Sequence, residues 1–297
     1  MSQNRMTGTS LLAFAGLFSL VLFYAAPASG YQAGQPRETP EEIHHMQHGM
    51  EMNIPSGVTD KCAPKFTYDD GPLGPSHWTG VCTTGRAQAP VNITKTEKMS
   101  TLAPLLMNYQ PVDLDMVNDC NRYRIKVRFP YNQWLKVNRK PYRLSEIDFH
   151  EPGEVAVNGN RPAMSLQFVH LSPEASFLVI EVPVVLGKEN PVIKKLWQHI
   201  PAGGKELKAS SVKINPMDLL PSDHGFYFFR GSLTNPACNE GAMWYVLKNP
   251  IEMSQAQIAQ YKKYYHNTAR PLQPIGERPI VESTVLEKKA ENKVQTK

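Results

Sequence analysis

From Lys65 to about Val281, Pro, Gly, Asn and Asp cut the apolar runs into short pieces, with a break about every eight to twelve residues. That spacing leaves little room for long helices and is the texture of a mainly β domain made of many short strands. The 25 prolines reinforce it, because proline lacks the amide hydrogen and suits turns and strand edges better than helix interiors. The clearest strands are expected at Tyr123 to Phe129, Ser165 to His170 and Phe177 to Val185. Helices are expected at Pro191 to Ile200 and Ser254 to Tyr265, the second opened by Ser254 and Gln257 in the spacing of a capping box. A hydrophobic content of 41% is enough for a sizeable core.

The ends read differently. Arg5 precedes an apolar stretch from Leu11 to Tyr24, interrupted by Gly16 and Ser19, and Ala26-Pro27-Ala28 offers small residues for cleavage. Residues 1–30 therefore read as a signal peptide and the chain as secreted or periplasmic, with no membrane span after cleavage. The alternative is a retained anchor, for which the stretch falls short of the roughly 20 residues needed to span a bilayer. Residues 31–64 read as a flexible lead-in, 65–281 as the folded domain and 282–297 as a disordered charged tail. Cys62, Cys82, Cys120 and Cys238 would face an oxidising compartment, where four cysteines suggest two disulfides in any of three connectivities. A net charge of +5 without a dense Lys/Arg run gives no reason to expect nucleic-acid binding.

Five segments carry a family signature. They are Tyr68-Asp-Asp-Gly-Pro-Leu-Gly-Pro-Ser-His-Trp78; Gln88-Ala-Pro-Val-Asn-Ile93 after Cys82; and the strand pair holding Asp148-Phe-His150 and Leu166-Gln-Phe-Val-His170. Gly231-Ser-Leu-Thr-Asn-Pro-Ala-Cys-Asn-Glu-Gly241 with Trp244, and Asn267-Thr-Ala-Arg-Pro-Leu-Gln-Pro274, complete the set. Together, and in this order, they resemble the α-carbonic anhydrases. The resemblance implies a central, mostly antiparallel sheet of about ten strands with few short helices, and an active site in a cone on one face. It also implies that Cys82 pairs with Cys238, leaving Cys62 and Cys120 to pair or stay free.

In that family three histidines hold zinc, two on one strand at i and i+2 and one on its neighbour, a spacing that puts all three on one face. Here the three positions are Asp148, His150 and Gln167, and the carboxylate that orients the third histidine is replaced by Ser165. A neutral amide oxygen is a weak donor to zinc, and an aspartate would make the metal a poorer Lewis acid. Thr234 and Glu154 match the family's hydrogen-bonded threonine–glutamate pair, Gln133 falls where the proton-shuttle histidine is expected, and Asn235 follows Thr234. His170 is expected on the opposite face, packed or hydrogen-bonded rather than metal-bound.

The first functional reading is a binding or assembly protein for an unknown protein or small-molecule partner, without efficient CO2 hydration. It needs no cofactor, with zinc bound only if the altered site still takes it. One alternative is a zinc-dependent hydratase with an atypical Asp148/His150/Gln167 site. Another is a periplasmic copper-handling protein, because His44, His45, Met46, His48, Met50 and Met52 set imidazoles beside the soft thioethers that suit copper.

Overall fold

The computed structural model describes residues 62–284. The expected signal segment, the His44-to-Met52 stretch and the chain beyond residue 284 lie outside the described residues. Strands run in the order β1 (Asn92–Ile93), β2 (Glu97–Met99), β3 (Leu106–Asn108), β4 (Val112–Asp119), β5 (Arg124–Arg128), β6 (Trp134–Val137), β7 (Lys140–His150) and β8 (Ala156–Val157). They continue with β9 (Met164–Leu171), β10 (Phe177–Leu186), β11 (Glu206–Ile214), β12 (Phe226–Ser232), β13 (Glu240–Leu247), β14 (Ile251–Met253) and β15 (Val281–Ser283). The α-helices are α1 (Val81–Thr84), α2 (Pro191–Trp197) and α3 (Gln255–Lys262).

Thirteen strands form one sheet, along the path β11-β4-β5-β7-β9-β10-β13-β12-β15-β2, with β3, β6 and β14 attached beside it. Within this sheet only the pairings of β10 with β13, β10 with β14 and β15 with β2 are parallel, and β1 and β8 form a separate two-stranded parallel sheet. The ten-stranded path, mostly antiparallel, is the sheet that the family resemblance implied. Strand β15 runs to Ser283 and pairs with β12 and β2, so ordered structure continues past Glu282, where the charged tail was expected to start.

Alternation along the strands builds the core. Ile125 and Val127 of β5, Ile147 and Phe149 of β7, Leu166 and Phe168 of β9, and Ile180 and Val182 of β10 are buried in one cluster. Helices α2 and α3 pack on this cluster through Ile193, Leu196, Trp197 and Tyr261. Asn190 caps α2 by accepting from the amides of Val192 and Ile193, and Pro191 opens it where a missing amide costs nothing. Ser254 and Gln257 form the capping box of α3. Trp197 and Tyr261 then stack across the two helices at 5.8 Å between ring centres.

The loops at the other face are tied by side chains the sequence motifs supply. Arg270 donates from Nη1 to Gln88 Oε1 at 2.7 Å and from Nη2 to the Cys82 carbonyl at 2.9 Å. Gln88 Nε2 donates to Glu240 Oε1 at 2.9 Å. Cys82 is bonded to Cys238 and Cys62 to Cys120. Among the described residues no helix is long and apolar enough to cross a membrane.

Candidate functional site

Residues of the same parity share a face of a strand, so the register decides which side chains meet. A one-residue irregularity in β7 between Leu144 and Glu146 sets its second half, leaving Glu146, Asp148 and His150 opposite the core residues Ile147 and Phe149. The pairing then aligns Lys126, Asp148, Gln167 and Glu181 in one row across β5, β7, β9 and β10. All four are buried, Glu181 to 1% exposure. A buried polar group is tolerated only where it finds partners, and apart from the Gln167–Glu181 contact this row finds them in the neighbouring Arg124, Glu146, Glu154 and the Val155 amide.

Asp148 and His150 do share the face, with Gln167 directly across from Asp148. Each is already engaged. Arg124 Nη1 donates to Asp148 Oδ2 at 2.5 Å, and Arg124 Nη2 lies 3.2 Å from Glu146 Oε1. Lys126 Nζ donates to Glu146 Oε2 at 2.9 Å. Gln167 Nε2 donates to Glu154 Oε2 at 2.5 Å and lies 3.2 Å from Glu181 Oε2. His150 Nδ1 is 2.7 Å from the Thr268 carbonyl; a carbonyl only accepts, so Nδ1 carries the proton and Nε2 is the free nitrogen.

Glu154 is the hub. Its Oε2 also accepts from Thr234 Oγ1 at 2.6 Å, and its Oε1 accepts from the Arg270 backbone amide at 3.0 Å. Ser165, at the position of the family's orienting carboxylate, instead accepts from the Glu154 amide at 3.4 Å. Among the described residues two buried side-chain atoms have no hydrogen-bond partner, Arg124 Nε and Asp148 Oδ1.

Burial pushes Asp148 up to about 6 even though Arg124 pulls it down, because the guanidinium is shared with Glu146. Glu146 is also buried, yet Arg124 and Lys126 together hold it down at about 2. Burial, with the charge of Glu154 beside it, pushes Glu181 up to about 7. Between pH 4.5 and 7 the folded chain therefore holds a proton on Glu181 that the unfolded chain has released, so Glu181 stabilises less as the pH rises through that window. His170 acts in the other direction. Burial lowers it to about 3, so its contribution falls as the pH drops below 6.5. We expect Glu181→Gln to remove only the first effect. Its stability relative to the parent should rise from pH 5 to about pH 7 in urea unfolding and level off toward pH 8, and a constant difference between pH 5 and 7 would refute the assignment.

The donor set does not fit zinc. Among the described residues no group of three or more His, Cys, Asp or Glu is placed to hold a metal ion. Asp148 is committed to a guanidinium, and the Gln167 amide nitrogen points at two carboxylates. That leaves His150 Nε2 and the unpartnered Asp148 Oδ1 as donors of a kind zinc accepts, and two donors, one of them on a carboxylate paired with a guanidinium, fall short of the three protein ligands of a catalytic site.

Gln133 does not stand at the site. It is fully buried, its amide oxygen accepts from the Gln110 backbone amide at 2.8 Å and its carbonyl accepts from Leu144, so it serves the β5–β6 loop. A shuttle has to meet solvent, and this position cannot. His170 lies on the core face as expected, with Nε2 2.6 Å from Tyr109 Oη and Nδ1 3.2 Å from the Leu178 carbonyl. The site residues that sequence reasoning missed are Arg124, Lys126, Glu146 and Glu181. Glu181 carried a local signal, a carboxylate in the middle of the apolar run Phe177–Leu186, whereas Arg124 and Lys126 alternate with Ile125 and Val127 as on any strand with one face in water.

The model of the eukaryotic-type carbonic anhydrase family matches residues 73–284. A carbonic anhydrase of Nostoc is 31% identical over 224 residues, covering 72% of this chain and 84% of the relative. The solved structure of the Photobacterium profundum α-carbonic anhydrase superposes with a TM-score of 0.69 at 33% identity, over 73% of this chain and all of that one. A dioscorin solved in complex with ascorbate gives 0.68 at 29% identity, covering 74% of this chain and 99% of that one.

Proposed function

This chain belongs to the eukaryotic-type carbonic anhydrase family, and from that premise we propose that it uses the family's cone as a binding or assembly domain without efficient CO2 hydration. One observation carries the reading. Two of the three metal-ligand positions are consumed by internal bonds, Asp148 to Arg124 and Gln167 to Glu154. Efficient hydration needs a metal that lowers the pKa of bound water to about 7 and an open coordination position. A cone whose floor is paired with itself offers neither.

The kept Thr234–Glu154 bond is the observation that favours an atypical hydratase instead. Its surroundings supply another reason for keeping it. Glu154 accepts from Thr234, Gln167 and Arg270, and removing it would strand Thr234 and the Arg270 amide, each at about 1–3 kcal/mol, and leave Gln167 only Glu181. The pair thus serves the fold whether or not chemistry takes place. A small-molecule or protein partner fits the reading, as the ascorbate complex of a dioscorin illustrates for a relative on this scaffold. Two disulfides support a secreted or periplasmic setting.

Elemental analysis of the purified mature protein, beside a CO2 hydration assay, tests the proposal. We expect much less than one zinc per chain and hydration at background. Stoichiometric zinc together with inhibitor-sensitive turnover would establish the hydratase. The same analysis reads copper, and a stoichiometric amount would turn attention to His44, His45, Met46, His48, Met50 and Met52.

A further inference from the structure

We propose that Arg124 excludes a metal cation from the cone by placing a permanent positive charge beside the metal's position, so the lost histidines are only part of why the site is metal-free. The inference rests on the reading above, that the natural chain holds no stoichiometric zinc.

The backbone delivers Arg124 to this place. A short 3-10 turn at Cys120–Arg122, closed by Tyr123 in the left-handed region at φ 55°, ends where β5 begins, and Arg124 is the first residue of that strand. Pairing of β5 with β7 sets Lys126 opposite Asp148, so Arg124 extends along the same face toward Asp148. Its side chain is 11% exposed, with one guanidinium nitrogen 2.5 Å from Asp148 and another 3.2 Å from Glu146. Held by two carboxylates from one strand, it has little freedom to swing away.

A zinc ligated through residue 148 would sit about 2 Å from its donor atom. The guanidinium that touches that residue would then lie within a few Å of a divalent ion in a poorly solvated space. Arginine does not relieve such a conflict by losing its proton. Arg124 and Lys126 balance only Glu146 and Asp148, and the other buried carboxylates, Glu154 and Glu181, bond to Gln167, Thr234 and backbone amides rather than to the guanidinium. Replacing Asp148 by a neutral histidine makes the balance worse, since it removes a carboxylate and leaves the guanidinium. Even at an effective dielectric constant of about 20, repulsion at this range should lower affinity by on the order of a hundredfold or more.

Two variants make the test: Asp148→His with Gln167→His, and the same pair with Arg124→Ala. Zinc content after equilibration is read by elemental analysis, and cobalt(II) substitution reports tetrahedral coordination by its visible absorption. We expect the double variant to stay sub-stoichiometric and the triple variant to take up close to one metal ion per chain. Arg124→Met in place of Arg124→Ala keeps the side-chain stem if the alanine variant folds poorly. Arg124→Lys retains the charge and should remain metal-free. A double variant that binds stoichiometric metal as tightly as the triple overturns the inference, and so does a folded triple variant, with native circular dichroism and both disulfides, that binds none. The unmodified chain, measured alongside, tests the earlier reading separately. Zinc in the double variant but not in the natural chain would overturn only the role of Arg124.

Discussion

Arg124→Ala should destabilise the folded chain by about 3–5 kcal/mol, because it leaves Asp148 buried and without its cation. The carboxylate is 4% exposed as a side chain and already carries one oxygen without a partner, so the protein offers it no second donor. Part of the loss comes from Glu146, which would keep only Lys126. The effect belongs to a pair, and a double-mutant cycle shows this. Asp148→Asn alone leaves the guanidinium with half its partners, whereas both changes together remove both charges and should cost clearly less than the sum of the two single changes. Additive costs in urea unfolding would mean that the ion pair does not form in solution.

The same residue marks the boundary of what could be read from the chain. Motifs built on Gln88, Ser232, Glu240 and Arg270 were legible because their side chains tie loops to one another across 143 to 182 positions of sequence. Such residues are fixed by geometry and stay in place when the chemistry changes. The strands were legible too: β9 was expected at Ser165 to His170 and spans Met164–Leu171, and the capping box of α3 formed from the two residues expected.

What replaced the lost histidines was not legible, for a physical reason. Arg124, Lys126 and Arg128 alternate with Ile125 and Val127, the pattern of a strand with one face in water. Only the register with β7 turns that face toward Glu146 and Asp148 and makes it an interior. A charge pair between strands leaves no local trace in either strand. Gln133 failed in the opposite direction. A loop position was assigned by likeness alone, and the hydrogen bonds to Gln110 and Leu144 show a buried structural amide.

Replacing Cys82 and Cys238 together by alanine should lower stability by about 5 kcal/mol if loop closure alone decides, since the bond joins residues 156 positions apart. The bond spans most of the sheet, from α1 before the first strand to the turn between β12 and β13. In the folded state little else should change. The carbonyls of both cysteines are held independently, Cys82 by Arg270 Nη2 at 2.9 Å and Cys238 by Gln88 Nε2 at 3.2 Å. Phe66, Tyr68 and Trp78 pack around the pair, and alanine preserves part of that contact. The stabilisation therefore resides in the unfolded chain, which the bond keeps compact, and this gives the experiment a second reading besides the midpoint. Without the bond the unfolded chain exposes more surface, so the dependence of unfolding free energy on urea should steepen as the midpoint falls. A falling midpoint with an unchanged slope would place the loss in the folded packing around Trp78 instead. An unchanged midpoint would mean that the network of Arg270 and Gln88 holds these loops without covalent help.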